Sequence, residues 1–414
     1  MNIYTITAFF CVCVLWGCAS SPSWTFDLEA GSHDRNTSPV IGMLPQTLHK
    51  ATNLSLKNTE SGQFLPVQRM ASGEFYFILD HPLKAGQKRT YEISLSEQEF
   101  SPQATANIQD GRIELAVNGK SVLHYNIEEV APPEGAPAYY RKSGFIHPIY
   151  SPGGQILTEG FPEGHMHQHG LFFAWVNTIF EGRNPDFWNQ HKQSGRVSHM
   201  EVYGTISGPV FASFTSRLSH TDITAPSGPK EVLQEDWQVM VYALEDAFLF
   251  DLSSVHRCVA DSPLIMPQYR YGGLGIRANS QWFEGEEAFK DQEIPNRQGL
   301  GQGGFFTSEG KDRLAGNHTR PNWVNMAGKI DGQEVGLVAM GHPGNFRFPQ
   351  AVRIHPSMPY FCFAPMVTEA FSIQAGERYF SSYRFFVFNG EADSTHIDQV
   401  WKDYSVPMEI VWKQ

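Results

Sequence analysis

Apolar and polar residues alternate with a period of two along most of this chain. Glu74 to Leu79 and Thr90 to Leu95 read as short half-buried strands, and between Pro39 and Ser101 such strands alternate with turn residues. Ile113 to Tyr125 reads as a hairpin turning at Asn118-Gly119, a pair that readily adopts positive φ. Further on, Val197–Ile206, Val210–Leu218, Val232–Tyr242, Ala247–Val255, Tyr269–Ile276 and Glu377–Asn389 continue the strand pattern. Several of them are separated by turns such as Thr224 to Pro229. Helical periodicity is confined to a short stretch near Asp393 to Asp403. Many strands and scarcely any helix predict an all-β protein. We expect a small N-terminal β-sandwich module over 39–105, a polar joint near 101–109, and a large β-sandwich over 110–414. The large domain is too long for a seven-strand sandwich.

Composition narrows the class. The 414 residues are 41% hydrophobic and 13% aromatic, with 37 Gly and 26 Pro, which suits a turn-rich globular fold. The formal charge of −12 and the lack of a Lys/Arg run argue against nucleic acid as a partner. Ile3 to Trp16 is apolar and ends at Gly17-Cys18, which resembles a bacterial lipoprotein signal over 1–18 with Cys18 as the lipidated residue. Ordinary cleavable secretion is the alternative. Both make the mature chain exported, periplasmic or held at an outer membrane by its lipid alone. Residues 19–38 then read as a tether. Outside the leader only Cys258 and Cys362 remain, either as two buried thiols or as one disulfide.

The richest chemistry lies between Gly144 and Trp188. His165, His167 and His169 fall within five residues, flanked by Gly164 and Gly170, with His147 upstream. In a strand the three imidazoles would face one way; in a loop the glycines would let them converge. Either arrangement could bind a polyhydroxylated substrate or a divalent metal ion. The spacing matches neither HExxH nor a zinc finger, and carboxylates would have to come from elsewhere. Candidate substrate contacts are Asp186 and Trp188, then Arg270 and Tyr271, then Arg320 and Trp323. Asn345 and Arg347 share a loop with His342, a further imidazole that follows the strand Val335 to Met340. Glu369 is the late carboxylate best suited to work as a base against an imidazole acid. Gly299 to Gly304 is glycine-rich but opens no helix and reads as a loop; nucleophile-elbow, P-loop and dinucleotide fingerprints are missing.

Three motif groups occur in order: Phe145 to Gly154 leading into Gly164 to Gly170; Trp323 to Gly328, Gly336 to Met340 and Gly341 to Pro349; and Ala375 to Glu377 with Tyr383 to Gly390. Together, over about residues 110–392, they resemble the "methane oxygenase PmoA-like" family of exported bacterial proteins, a domain of unknown function. The name does not carry an activity here, because a particulate methane oxygenase subunit is a bundle of membrane helices. The resemblance implies a setting in carbohydrate breakdown and, by fold analogy, a galactose-mutarotase-like supersandwich. Three functions are therefore expected to compete. One is an exported enzyme acting on a sugar or sugar acid by His/carboxylate acid-base chemistry, as epimerase, lyase or hydrolase. The others are a non-catalytic glycan-binding lipoprotein and a copper or iron oxidoreductase using the histidine cluster.

Overall fold

The structure is a computed structural model that describes residues 23–51, 53–96, 100–283 and 303–413. The leader with Cys18 and residues Gly299 to Gln302 of the glycine run lie outside the described residues. Gly303 and Gly304 open a strand, Gly303–Thr307.

The large sandwich consists of two eight-stranded antiparallel sheets. The front sheet runs Val352–Ile354, Tyr360–Phe363, Gly273–Arg277, Leu171–Ala174, Phe145–Ile149, Lys120–Asn126, Arg112–Val117, Ala104–Gln109. The long sheet runs Gly195–Ile206, Phe211–Asp222, Lys230–Tyr242, Phe248–Cys258, Arg378–Asn389, Gln333–Gly341, Trp323–Ile330, Gly303–Thr307. One core fills the space between them, with Phe145, Phe173, Phe361 and Phe363 from the front sheet against Trp237, Phe250, Tyr383 and Phe385 from the long one. Asn118 and Gly119 turn the expected hairpin with φ of 50° and 76°. The stretch expected as a polar joint instead forms the edge strand Ala104–Gln109; its exposed outer end hides the pairing that Ala104 anchors.

The strand Arg378–Asn389 is buried on both faces over its second half. Tyr383, Phe385 and Val387 point into the sandwich, while Phe386 and Phe388 pack outward against Ile397 and Tyr404 of the helix Ser394–Ser405. Asp393 caps that helix by accepting the N–H groups of Thr395 and His396. Cys258 and Cys362 are buried free thiols, which decides between the two readings of the cysteines.

The first described residues and the last ones meet in a smaller pair of sheets. One has five strands, Glu409–Trp412, Ser23–Glu29, Lys88–Leu95, Leu54–Asn58 and Phe64–Leu65; the other has Pro39–Met43, Glu74–Ile78 and Gln68–Arg69. Two expectations change. The tether holds the strand Ser23–Glu29, whose Phe26 and Leu28 are fully buried. The chain end assigned to the large domain returns as Glu409–Trp412 and pairs with that strand. Trp412 stacks edge-on against Phe26 at 5.0 Å and donates its indole N–H to the Met43 carbonyl at 3.0 Å. Among the described residues no helix is long and apolar enough to cross a membrane.

Since Trp412 is half-buried, Trp412→Ala is expected to cost about 2 kcal/mol, below the roughly 3–5 kcal/mol of a fully buried aromatic. Denaturant unfolding measures it, and a loss under about 0.5 kcal/mol, the size of a surface substitution, would show that the returning strand adds little.

Candidate functional site

Period-two alternation gives the front sheet an outer face as well as a core face. In Gly273–Arg277, Leu274 and Ile276 face the core, so Gly275 and Arg277 face out. Cross-strand register then sets Phe172, Gly275, Cys362 and Arg353 side by side. A Cβ at Gly275 would meet the Trp188 ring at 2.5 Å, so glycine lets that indole lie directly on the sheet. Trp188 is 2% exposed and touches Phe172, Tyr271 and Tyr360 with ring centroids 4.6, 5.5 and 5.9 Å away. It is a floor beneath the site and does not present an open stacking face.

Asp186 holds the loop that carries this floor. Its buried carboxylate accepts the N–H groups of Trp188 and Asn189, the Asn189 amide at 2.9 Å and the Lys192 ammonium at 2.7 Å. Asp186 is thus a loop organiser with its lone pairs already engaged. Asn189 also donates to the Tyr271 hydroxyl at 3.1 Å. Burial and that hydroxyl's neighbours push the Tyr271 phenol up to about 12, so it stays protonated at neutral pH.

The His165–Gly170 segment is a turn, and its three imidazoles do not converge. His169 is 1% exposed, packs against Phe161 and Phe145, and bonds through Nε2 to Gln190 Oε1 at 2.7 Å. Burial holds it neutral, well below the usual histidine range. His147 is likewise enclosed against Thr158 at 3.0 Å, and burial pushes it down to about 4. His165 and His167 are instead partly exposed, their rings 5.7 Å apart, with His191 5.8 Å from His167. Burial, then the proximity of His165 and His191, pushes His167 down to about 3; Asp186 and Arg277 are also within electrostatic range. Hence the predicted metal set of His165, His167 and His169 is not assembled. Among the described residues the one group of three donors within 4.8 Å of one another is His220, Glu235 and His256.

The structure adds residues that the sequence did not single out. His355 accepts the N–H groups of Ser357 and Met358 on Nδ1, which leaves Nε2 as its donor. Burial, followed by Arg353 and His165, pushes His355 down to about 3. Arg277 is buried and reaches Gln168 at 3.2 Å and Glu159 at 3.4 Å. Arg353 is partly buried and within range of Tyr360, Arg270 and Tyr271; burial lowers its pKa. Neither Arg353 nor Arg270 has a carboxylate partner among the described residues, although Arg270 lies over the Tyr271 ring. Arg353 and His355 sit in the loop-rich stretch Val352 to Tyr360, where no periodicity betrays them.

The remaining predicted residues serve the scaffold elsewhere. Arg347 donates to the carbonyls of Pro365, Glu369 and Ala370 and pairs with the exposed Glu369 carboxylate at 2.9 Å. Arg320 clamps the carbonyls of Pro349 and Arg347. Asn345 exchanges two hydrogen bonds with the Ser382 backbone. Trp323 is core, 2% exposed against Phe306. His342 packs on Tyr404 of the C-terminal helix, on the far face of the long sheet. The expected pairing of Glu369 or His342 with the histidine cluster therefore does not form. A guanidinium satisfied by carbonyls is a turn staple, and its sequence looks the same as that of a ligand-binding arginine.

Neutral buried histidines predict an acid-labile domain. A histidine whose folded pKa is depressed binds its proton better when unfolded, so stability is full above about pH 6.5 and falls as pH drops toward 3–4. Urea midpoints should decline through that window. His167→Gln should shallow the decline by up to one proton, and an unchanged slope would place His167 in water.

Comparison with the curated proteins gives no match. Among solved structures, a heparan sulfate lyase HepC mutant from Pedobacter heparinus aligns at 9% identity and a TM-score of 0.30, covering 72% of this chain and 38% of that one. The Slr1438 protein from Synechocystis sp. PCC 6803 aligns at 12% identity and a TM-score of 0.29, covering 72% of this chain and 99% of that one. The chain thus spans well under half the length of the lyase. Residues 112–402, which hold both large sheets almost entirely and the outer-face residues described above, match the model described as "Family of unknown function (DUF6807)", and the chain belongs to that family.

Proposed function

We propose that the outer face of the front sheet, around Tyr271, binds an anionic sugar and acts on it by proton transfer, as a lyase or epimerase of a sugar acid. The observation that carries this reading is the pair Arg270 and Arg353, two guanidiniums beside Tyr271 without a carboxylate partner among the described residues. A carboxylate on the substrate would complete them, and its charge would be neutralised as the neighbouring C–H is made acidic.

His167 suits the base. It is neutral down to about pH 3, partly accessible and set among other imidazoles, so its lone pair is available at any physiological pH. In the elimination, His167 takes the proton from the carbon beside the substrate carboxylate. The electrons form a carbon–carbon double bond, and the departing glycosidic oxygen receives the Tyr271 hydroxyl proton. In epimerisation the carbanion is reprotonated on its other face instead. His355 Nε2–H would hold a substrate hydroxyl group. The low basicity of His167 also limits its driving force, which is why neutralising the substrate carboxylate matters to this mechanism.

The residues matching the PmoA-like motifs and the lipoprotein-like leader support an exported setting in polysaccharide breakdown; both extend beyond the family assignment and remain part of this proposal. A non-catalytic glycan binder would use the same arginines.

Purified protein incubated with uronate-containing oligosaccharides should generate the ultraviolet absorbance of an unsaturated product, or an epimer detectable by NMR. His167→Gln should lower kcat by about 10²–10⁴-fold and Arg353→Ala should chiefly raise KM. Binding without turnover, with His167→Gln changing affinity alone, would replace the enzyme with a binder. A lack of both binding and turnover across acidic sugars would sink the reading.

A further inference from the structure

Deep between the two sheets, away from the outer face, lies a second set of titratable groups. His220, Glu235 and His256 are each fully buried, on the inner face of three adjacent strands of the long sheet. Glu235 sits directly opposite His256 in register, and His220 lies two positions along from Leu218, the other residue opposite Glu235. Phe173, Trp175 and Phe187 close over the imidazoles, with ring centroids at 4.5 Å and 5.4 Å from His256 and 5.4 Å from His220.

The hydrogen bonds around Glu235 decide what each atom can do. The Trp237 indole N–H and the Ser254 hydroxyl, at 2.6 Å, both donate to Glu235 Oε1. His220 Nε2 lies 2.8 Å from Oε2. Because the Ser254 proton is directed to Glu235, Ser254 Oγ can only accept from His256 Nδ1, 3.4 Å away. The hydrogen of His256 then sits on Nδ1, and Nε2 is left with a lone pair. That Nε2 faces Glu235 Oε1 at 3.4 Å and has no hydrogen-bond partner. Two electron-rich atoms face each other in a dry interior, an arrangement stabilised by a cation between them. Lys142 is not that cation, since its ammonium donates to the Val197 carbonyl at 2.9 Å.

We infer that His220 Nε2, His256 Nε2 and the Glu235 carboxylate bind a divalent first-row transition ion, with zinc as the best fit. Zinc takes imidazole nitrogen and carboxylate oxygen at about 2.0–2.2 Å, so donors sharing one ion lie roughly 3–4 Å apart. The donor contacts of 2.8 and 3.4 Å match this with small side-chain adjustments. Trp237 and Ser254 supply the outer hydrogen bonds that orient a ligating carboxylate and imidazole. Enclosure on every side makes the ion a structural one, tying three strands of the long sheet behind the core. This assignment is independent of the sugar reading and uses none of its residues.

The test is elemental analysis of the full chain after purification without chelators, with thermal unfolding before and after chelation and after adding back zinc. Close to one equivalent of metal is expected, with a fall in Tm on chelation that zinc reverses. His256→Ala should lose the metal, and His167→Ala, outside this group, should keep it. Folded wild-type protein that carries no metal and shows no zinc-dependent Tm overturns the assignment, as does metal lost with His167→Ala instead. Should His256→Ala fail to fold, the wild-type chelation and zinc arms decide by themselves. Cobalt substitution adds a spectroscopic readout, since visible d–d bands of low-coordinate cobalt appear only if the imidazoles ligate.

Discussion

The pleat of the front sheet governs everything else in the large domain. Along its strands a residue of one parity enters the core and a residue of the other parity faces outward, and a slip of one position would exchange them. Ile276 and Arg277 are neighbours in sequence, yet one packs among phenylalanines and the other reaches Gln168 and Glu159 on the outside. The register is held because its inner residues must meet the long sheet. Packing thereby fixes where Arg353, Tyr360 and Arg277 stand relative to one another before any ligand arrives. Gly275 is the point at which this arrangement needs a missing side chain, since any Cβ there would lift Trp188 off the sheet.

Electrostatics divides the histidines into those that are structural and those that are available. His169 is buried and His147 partly buried, each with a hydrogen-bond partner, and their neutrality is a by-product of packing. His167 is neutral for the same reason of burial, but it is partly exposed beside His165 and His191. A depressed pKa alone does not mark a functional group; position relative to solvent and to the unpartnered arginines does. The interior repeats the lesson with opposite sign. Burial alone would raise the Glu235 carboxyl, yet the adjoining His256 and His220 imidazoles hold it below the usual carboxylate range.

Strand periodicity made the fold legible, since the long sheet is built from runs such as Lys230–Tyr242 that alternate cleanly. Two kinds of information were hidden. One was chain closure: Ser23–Glu29 is short and adjoins the leader, and its partner Glu409–Trp412 is nearly the whole chain away. The other was convergence. The histidine-rich turn was visible as a cluster in sequence, yet only two of its imidazoles stay partly exposed. Arg353 arrives from the short edge strand Val352–Ile354 and His355 from just after it, about two hundred residues later, with no local signature. Arg347, Arg320 and Glu369 looked like ligand contacts because a staple and a binding group share the same residue types. His220, Glu235 and His256 did leave a trace, each being a polar residue at a core parity of its strand. That trace becomes informative only when register shows the three are adjacent.

Arg270 and Arg353 stand apart from the other arginines of the chain. Burial of Arg353 and the like charge of Arg270 within electrostatic range both disfavour its charged form. A scaffold under selection for stability alone would place a carboxylate beside them, as it does for Arg347 with Glu369 and Arg384 with Asp251. The same chain thus shows that it can neutralise guanidiniums where they serve the fold. Leaving the exposed Arg270 and the partly buried Arg353 without a carboxylate partner among the described residues concentrates positive potential there, on a chain whose net charge is −12. On the proposed reading, an anionic group entering there would offset that like-charge effect and gain paired hydrogen bonds at once, which a neutral sugar hydroxyl would not do.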